Sequence, residues 1–230
     1  MKRIIFFSVL LVTFLFGGSR VYPQAVRGHL VYFQMGYLNA PQAGPVAQTF
    51  APDWFPRLND HFIYSGGEGW LRFNRLMAGL AATALTAHPV SAQQTRVDRV
   101  GGIGQLKLGY VLFDNRQWLC YSSVGQGFSS VMLTVNSAGS KPVTWMLPSH
   151  TTDVSVHLHT LLARPRPADE KTAQGLGLGL HLGYVISARS SLWQQIPDGN
   201  LLQLKPTYAM NGFYVTLTIG GSRFQYSHHP

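Results

Sequence analysis

The sequence predicts an all-β fold, an eight-stranded antiparallel up-and-down transmembrane β-barrel. Three observations lead there. Large apolar residues recur at every second position in several separate segments, the period of a strand with two unlike faces. Only 12% of the 230 residues are Asp, Glu, Lys or Arg, where soluble domains carry about 25%. The connections between the alternating segments are mostly short and long in turn, as in a barrel with tight turns at one end and long loops at the other.

The chain opens with a leader. Met1-Lys2-Arg3 is a basic start, Ile4–Phe16 (IIFFSVLLVTFLF) is apolar, and Gly17, Gly18 and Ser19 are small. The run is short for a spanning helix and has the make-up of a secretory signal peptide. Residues 1–25 are assigned to it, with cleavage after Ser19 or Ala25, and residues 26–230 to a single barrel domain. No later stretch is apolar for long enough to cross a membrane as a helix. Cys120 is the single cysteine, so no internal disulfide can form.

Strands follow at about 28–38, 61–73, 76–85, 102–113, 117–135, 152–162, 175–188 and 211–222. The clearest is GLGLGLHLGYVIS, where Leu176, Leu178, Leu180, Leu182, Tyr184 and Ile186 share one face. Gly177, Gly179, His181, Gly183, Val185 and Ser187 share the other. Phe213, Val215, Leu217 and Ile219 oppose Tyr214, Thr216 and Thr218 in the same way, and Leu106, Leu108 and Tyr110 oppose Gln105, Lys107 and Gly109. The Ser- and Gly-rich segment 118–135 is expected to be bulged or bent. Long outer loops are expected at 39–60, 86–101, 136–151 and 189–210. The connection 163–174 is longer than the pattern asks, and Asp114-Asn115-Arg116 suits a tight hairpin.

Two barrels share this periodicity. A soluble ligand-binding barrel turns its apolar rows inward and needs charges on the rows that meet water. Here the non-apolar rows are Gly, Ser, Thr, His and Gln. They solubilise a surface poorly but suit the narrow interior of an eight-stranded barrel. The apolar rows are therefore assigned to lipid, where a charge at mid-depth costs ~2–4 kcal/mol. Inward glycines leave room for His181, Lys107 and Tyr214. Tyr37, Tyr110 and Tyr184, each preceded by glycine, fall on outward positions suited to an aromatic girdle.

The expected interior polar cluster is Glu68, Arg72, Gln105, Lys107, His157, His159, His181 and Tyr214. Unpaired ions in a narrow lumen are costly, so Glu68 is expected to pair with Arg72 or Lys107 and to help plug the barrel. SVHLH puts Ser155, His157 and His159 on one face. Alternate histidines could ligate a metal, and a histidine beside a serine could act as a general base. Both residues point into the lumen, away from any lipid substrate. Hydrogen-bonded filling of the lumen is therefore the expected role, with no catalytic residue, no metal and no cofactor. The glycine-rich GGIGQL and GLGLGL lack a phosphate-binding lysine and a following helix, so nucleotide binding is not expected. In the long loops, Trp54, Phe55, Trp193 and Ile196 suit either contact with a partner or the membrane interface, or folding over the barrel mouth.

The leader, the alternating strands, the loop rhythm and the last strand FYVTLTIGGSRF make the chain resemble the small eight-stranded outer-membrane barrels of Gram-negative envelopes. The resemblance covers most of residues 26–224 as a pattern, without a diagnostic motif. It implies an outer-membrane location, contact with outer-membrane lipid and a monomer. It also implies recognition by the barrel-assembly machinery through the C-terminal strand. Phe224 could serve as the terminal aromatic, although six residues follow it and strict alternation from Phe213 turns it inward. Scattered positive charge in an exported chain gives no nucleic-acid site. The expected function is structural, adhesive or recognition through the outer loops. The alternatives are a lipid acyl hydrolase using Ser155 and His157, as some barrels of this class are, and an exported soluble ligand-binding barrel.

Overall fold

In the computed structural model the alternating segments are strands, and they close on themselves. The structure describes residues 24–40, 61–92, 94–115, 117–162, 172–188, 190–196, 198 and 201–228. Eight staves form the barrel: β1 (Gln24–Asn39), β2 (His61–Phe73), β3 (Leu76–Thr86), β5 (Thr95–Asp114), β6 (Trp118–Ser137), β7 (Val143–Leu161), β8 (Thr172–Ser187) and β11 (Gly212–His228). Three shorter strands, β4 (Val90–Ala92), β9 (Ser190–Ile196) and β10 (Leu201–Tyr208), are added at one end. Every stave pairs antiparallel with its neighbours, and β1–β11, β11–β8 and β8–β7 pairing completes the ring. Closure leaves no stave with an open edge, as a lipid setting demands of its backbone amides and carbonyls. No helix among the described residues is long and apolar enough to cross a membrane.

Polar side chains set the turns at the terminal end of the barrel, where β1 begins and β11 ends. Asn74 adopts φ 57°, a left-handed conformation that asparagine tolerates. Its side-chain oxygen accepts from the Val26 amide at 2.9 Å, so the β2–β3 turn also fastens the first stave. Asn115 Oδ1 accepts from the amides of Gln117 at 2.9 Å and Trp118 at 2.7 Å, the turn expected at 114–116.

The rows face as their chemistry requires in lipid. Leu108 is 72% exposed on the outside of β5, while Lys107 beside it is 2% exposed. Phe33, Leu80, Leu106, Leu176 and Leu217 are likewise exposed, and Gln34, His181 and Thr216 are buried. A soluble barrel has the reverse arrangement. The molecule is a transmembrane β-barrel with its oily rows outside.

Two expectations are corrected. First, 86–101, 136–151 and 189–210, expected as loops, are largely strand. β5 and β6 each run for 20 residues and β7 for 19, roughly twice the 9–11 residues that a tilted strand needs to cross. Second, the irregularity expected in 118–135 lies across from it. β6 is continuous, and the β5–β6 register shifts between Val111 and Phe113, so Leu112 is an extra residue. The bulge reverses facing beyond it: Phe113 turns outward at 49% exposure, and Asp114 turns in. The connection 163–174 is shortened by β8 starting at Thr172, and 163–171 lie outside the described residues.

Candidate functional site

The lumen is layered. Near the termini an apolar cluster includes Leu30, Tyr32, Trp70, Met77, Tyr121 and Phe224. Toward the other end a second cluster includes Phe62, Leu85, Val97, Leu133, Leu147 and Trp193. Between them lies a band of buried polar groups. A channel lined throughout with polar side chains would hold water; this lumen is filled.

The band follows from register. Inward positions on β7 bring Asp153, Ser155, His157 and His159 into one column. Gly125 sits between Lys107 and Asp153, pairing with Lys107 on one side and Asp153 on the other. Lacking a side chain, it lets those two meet across it. Lys107 Nζ lies 2.8 Å from Glu68 Oε1 and 3.1 Å from Asp153 Oδ2. Trp70 Nε1 donates to Glu68 Oε2 at 2.9 Å. Of the two partners expected for Glu68, the structure supplies Lys107. Arg72 pairs instead with Asp114 at 2.7 Å and lies over the Phe224 ring. That pairing depends on the β5 bulge, because unbroken alternation would send Asp114 outward.

Around the ions runs a network of hydroxyls and rings. Ser123 Oγ and Ser155 Oγ are 2.8 Å apart, and each lies 2.9 Å from His157 Nε2. Ser155 Oγ donates to Asp153 Oδ2 at 3.2 Å. Nδ1 of His157 is 4.0 Å from Glu68 Oε2. His159 and His181 face each other through Nε2 at 3.0 Å. Tyr121 stacks on His157 at 4.3 Å, and Tyr32 on His159 at 4.2 Å. Glycines admit these rings. A Cβ on Gly179 would strike the His159 ring, and one on Gly183 would strike the Tyr214 ring. The room expected for His181 is thus given to His159. Gln105 is buried with its Nε2 unpartnered among the described residues.

Serine, histidine and carboxylate stand here in the order of a nucleophile, a base and its orienting acid. Yet Ser123 and Ser155 are 3% and 2% exposed and His157 is fully buried. An ester carbonyl has no approach to either hydroxyl. The arrangement fastens staves β2, β5, β6 and β7 together across the barrel.

Several members escaped the sequence reading. Asp153 lies two residues before Ser155 and shares its parity, so the signal was present. Ser123, Trp70, Tyr32 and Tyr121 carried none, being common types on strands. Tyr37 and Tyr184 are outward at the far end, 47% and 45% exposed. Tyr110 is outward at the terminal end, where Arg75 Nη1 donates to its hydroxyl at 3.4 Å. Trp193 is buried in the far apolar cluster, one of the two placements left open for it. Trp54 and Phe55 lie outside the described residues, as do residues 1–23 of the assigned leader, while Gln24 and Ala25 belong to β1.

No family model matches the chain, and no curated protein matches it. Solved structures are similar to it at low identity. The attachment invasion locus protein Ail of Yersinia pestis is 9% identical over 88% of this chain and 99% of that one, with a TM-score of 0.40. Neisserial surface protein A is 12% identical over 89% and 97%, at 0.34. The outer membrane protease OmpT from Escherichia coli is 7% identical over 88% and 95%, at 0.30. The activities in those names belong to those proteins.

Proposed function

We propose that the chain is a non-conducting barrel of the outer membrane that acts by recognition at its far end. The observation that carries this is the cap built on the surplus lengths of β5, β6 and β7. Its outer face is polar: Arg96 forms an ion pair with Asp98 at 2.9 Å, Asn136 donates to Asp98 at 3.2 Å, and Thr134 and Thr144 hydroxyls meet at 3.0 Å. Its inner face buries Val97, Leu133 and Leu147 together with Arg99, whose guanidinium lies over the Phe62 ring. The β9–β10 hairpin joins through pairing of Thr144–Met146 with Gln194–Ile196 and seats Trp193 inside. The cap shares one apolar cluster with Leu38, Phe62 and Leu85 of the barrel wall, so it presents a fixed surface to the outside, as recognition requires. Tyr37 and Tyr184 would mark the outer boundary of the lipid belt, and Tyr110 the inner one. The last stave would be read by the assembly machinery before closure, since Phe224 is buried once the barrel forms.

Replacing 190–208 by a short glycine-serine linker tests the reading. Cells displaying the full chain are expected to bind a surface or cell type that cells displaying the trimmed barrel do not, with both proteins migrating as folded on unheated gels. Equal binding by both would refute it. In planar bilayers no steady pore is expected.

The 2.9 Å contact of Ser155 with His157 favours a second reading, the lipid hydrolase. It requires the barrel wall to open. Mass spectrometry of envelope lipids from cells with the native chain and with Ser155→Ala separates the two readings: acyl loss that depends on Ser155 would replace recognition with hydrolysis.

A further inference from the structure

We propose that His157, His159 and His181 form a binding site for a first-row divalent transition-metal ion, zinc being the reference, locked inside the barrel. One ring nitrogen from each of the three lies within 4.8 Å of the others. The Nε2 atoms of His159 and His181 are 3.0 Å apart. Two imidazole nitrogens on one tetrahedral zinc stand about 3.3 Å apart, given Zn–N bonds of about 2.0–2.1 Å. A small opening of that pair therefore admits an ion. The third ring is held for the purpose: Ser123 and Ser155 engage Nε2 of His157 and leave its Nδ1 without a hydrogen-bond partner among the described residues. Such anchoring of the far nitrogen orients a ligating histidine.

The surroundings favour a cation. Glu68 and Asp153 carry two negative charges against the single positive charge of Lys107. The Glu68 carboxylate lies 4.0 Å from His157 Nδ1. Tyr32 and Tyr121 hold two of the rings by stacking, so the ligands are organised before an ion arrives. Imidazole ligands suit zinc, copper and nickel rather than calcium or magnesium. Both ends of the lumen are filled by apolar clusters. The ion is therefore taken up as the barrel closes and exchanges slowly afterwards.

The test folds the urea-solubilised full chain into detergent with Zn(II) or Co(II). His228 and His229 are changed to alanine so that the tail binds nothing. The folded protein is then treated with EDTA, and metal is counted by plasma mass spectrometry. One equivalent per folded chain is expected, with the visible absorption of tetrahedral cobalt. Metal added only after folding is expected to be taken up at least about tenfold less. His181→Gln, which keeps the size and polarity of the side chain, is expected to lower retention at least about tenfold. Three results would each overturn the site: folded chain that retains no metal above a metal-free preparation, cobalt with only the weak spectrum of an octahedral ion, or undiminished retention by folded His181→Gln. Should that variant fail to fold, the retention and the cobalt spectrum of the native chain decide.

Discussion

Strands β5, β6 and β7 carry opposite chemistry at their two ends, on the same faces. In the barrel wall, Leu106 and Leu108 point out and Gln105 and Lys107 point in. A few residues along β5, Arg96 and Asp98 point out while Val97 points in. Phe128 meets the His150 ring at 4.5 Å, and the outer face turns polar beyond it, between the row of Val100, Met132 and Met146 and the row of Asp98, Thr134 and Thr144. In the proposed membrane setting, acyl chains lie against the apolar rows and water against the polar ones. Each half buries what its own solvent rejects. A continuous ladder of backbone hydrogen bonds thus serves two environments, and side chains alone tell the halves apart.

The sharpest way to break the contrast is inside the wall. Lys107→Met leaves Glu68 and Asp153 facing each other in a sealed layer. Loss of one partner of a buried ion pair costs about 3–5 kcal/mol, to be read from urea unfolding in lipid vesicles. Removing all three charges together, as Glu68→Gln, Lys107→Met and Asp153→Asn, is expected to restore much of that loss, because no ion is then stranded. Next in size is the lipid face. Leu108→Arg is expected to cost ~2–4 kcal/mol, whereas Arg96→Leu on the same face of the same strand leaves the unfolding midpoint within error. Equal effects at the two positions would erase the boundary. Smallest is ring room: Gly183→Ala crowds Tyr214 and is expected to cost about 1–3 kcal/mol, with recovery when Tyr214→Leu is added.

This contrast also explains what the sequence revealed. Eight staves were legible because alternation is strong where one face is all oil. The reading failed at 95–101 and 143–151, which were assigned to loops. There the inward row is mixed, Val97, Leu133 and Leu147 being buried beside Arg99, and TRVDRVGG puts Arg96 and Asp98 at outward positions where the wall has leucine. The partner of Arg72 was hidden for another reason. A single extra residue at Leu112 turns Asp114 inward, and nothing in the local composition marks the bulge. Lys107 with Glu68 was legible from parity. The meeting of His157 with His181 depends on the β7–β8 register, which alternation within one strand does not fix.

Spin labels placed one at a time at Leu108 and at Arg96, in a Cys120→Ser background, test the boundary most directly. Both sites face outward on β5. In vesicles, the label at 108 is expected to relax faster with dissolved oxygen than with a water-soluble nickel chelate, and the label at 96 to show the reverse. Preference for the nickel chelate at 108, or for oxygen at 96, would contradict a wall in lipid and a cap in water.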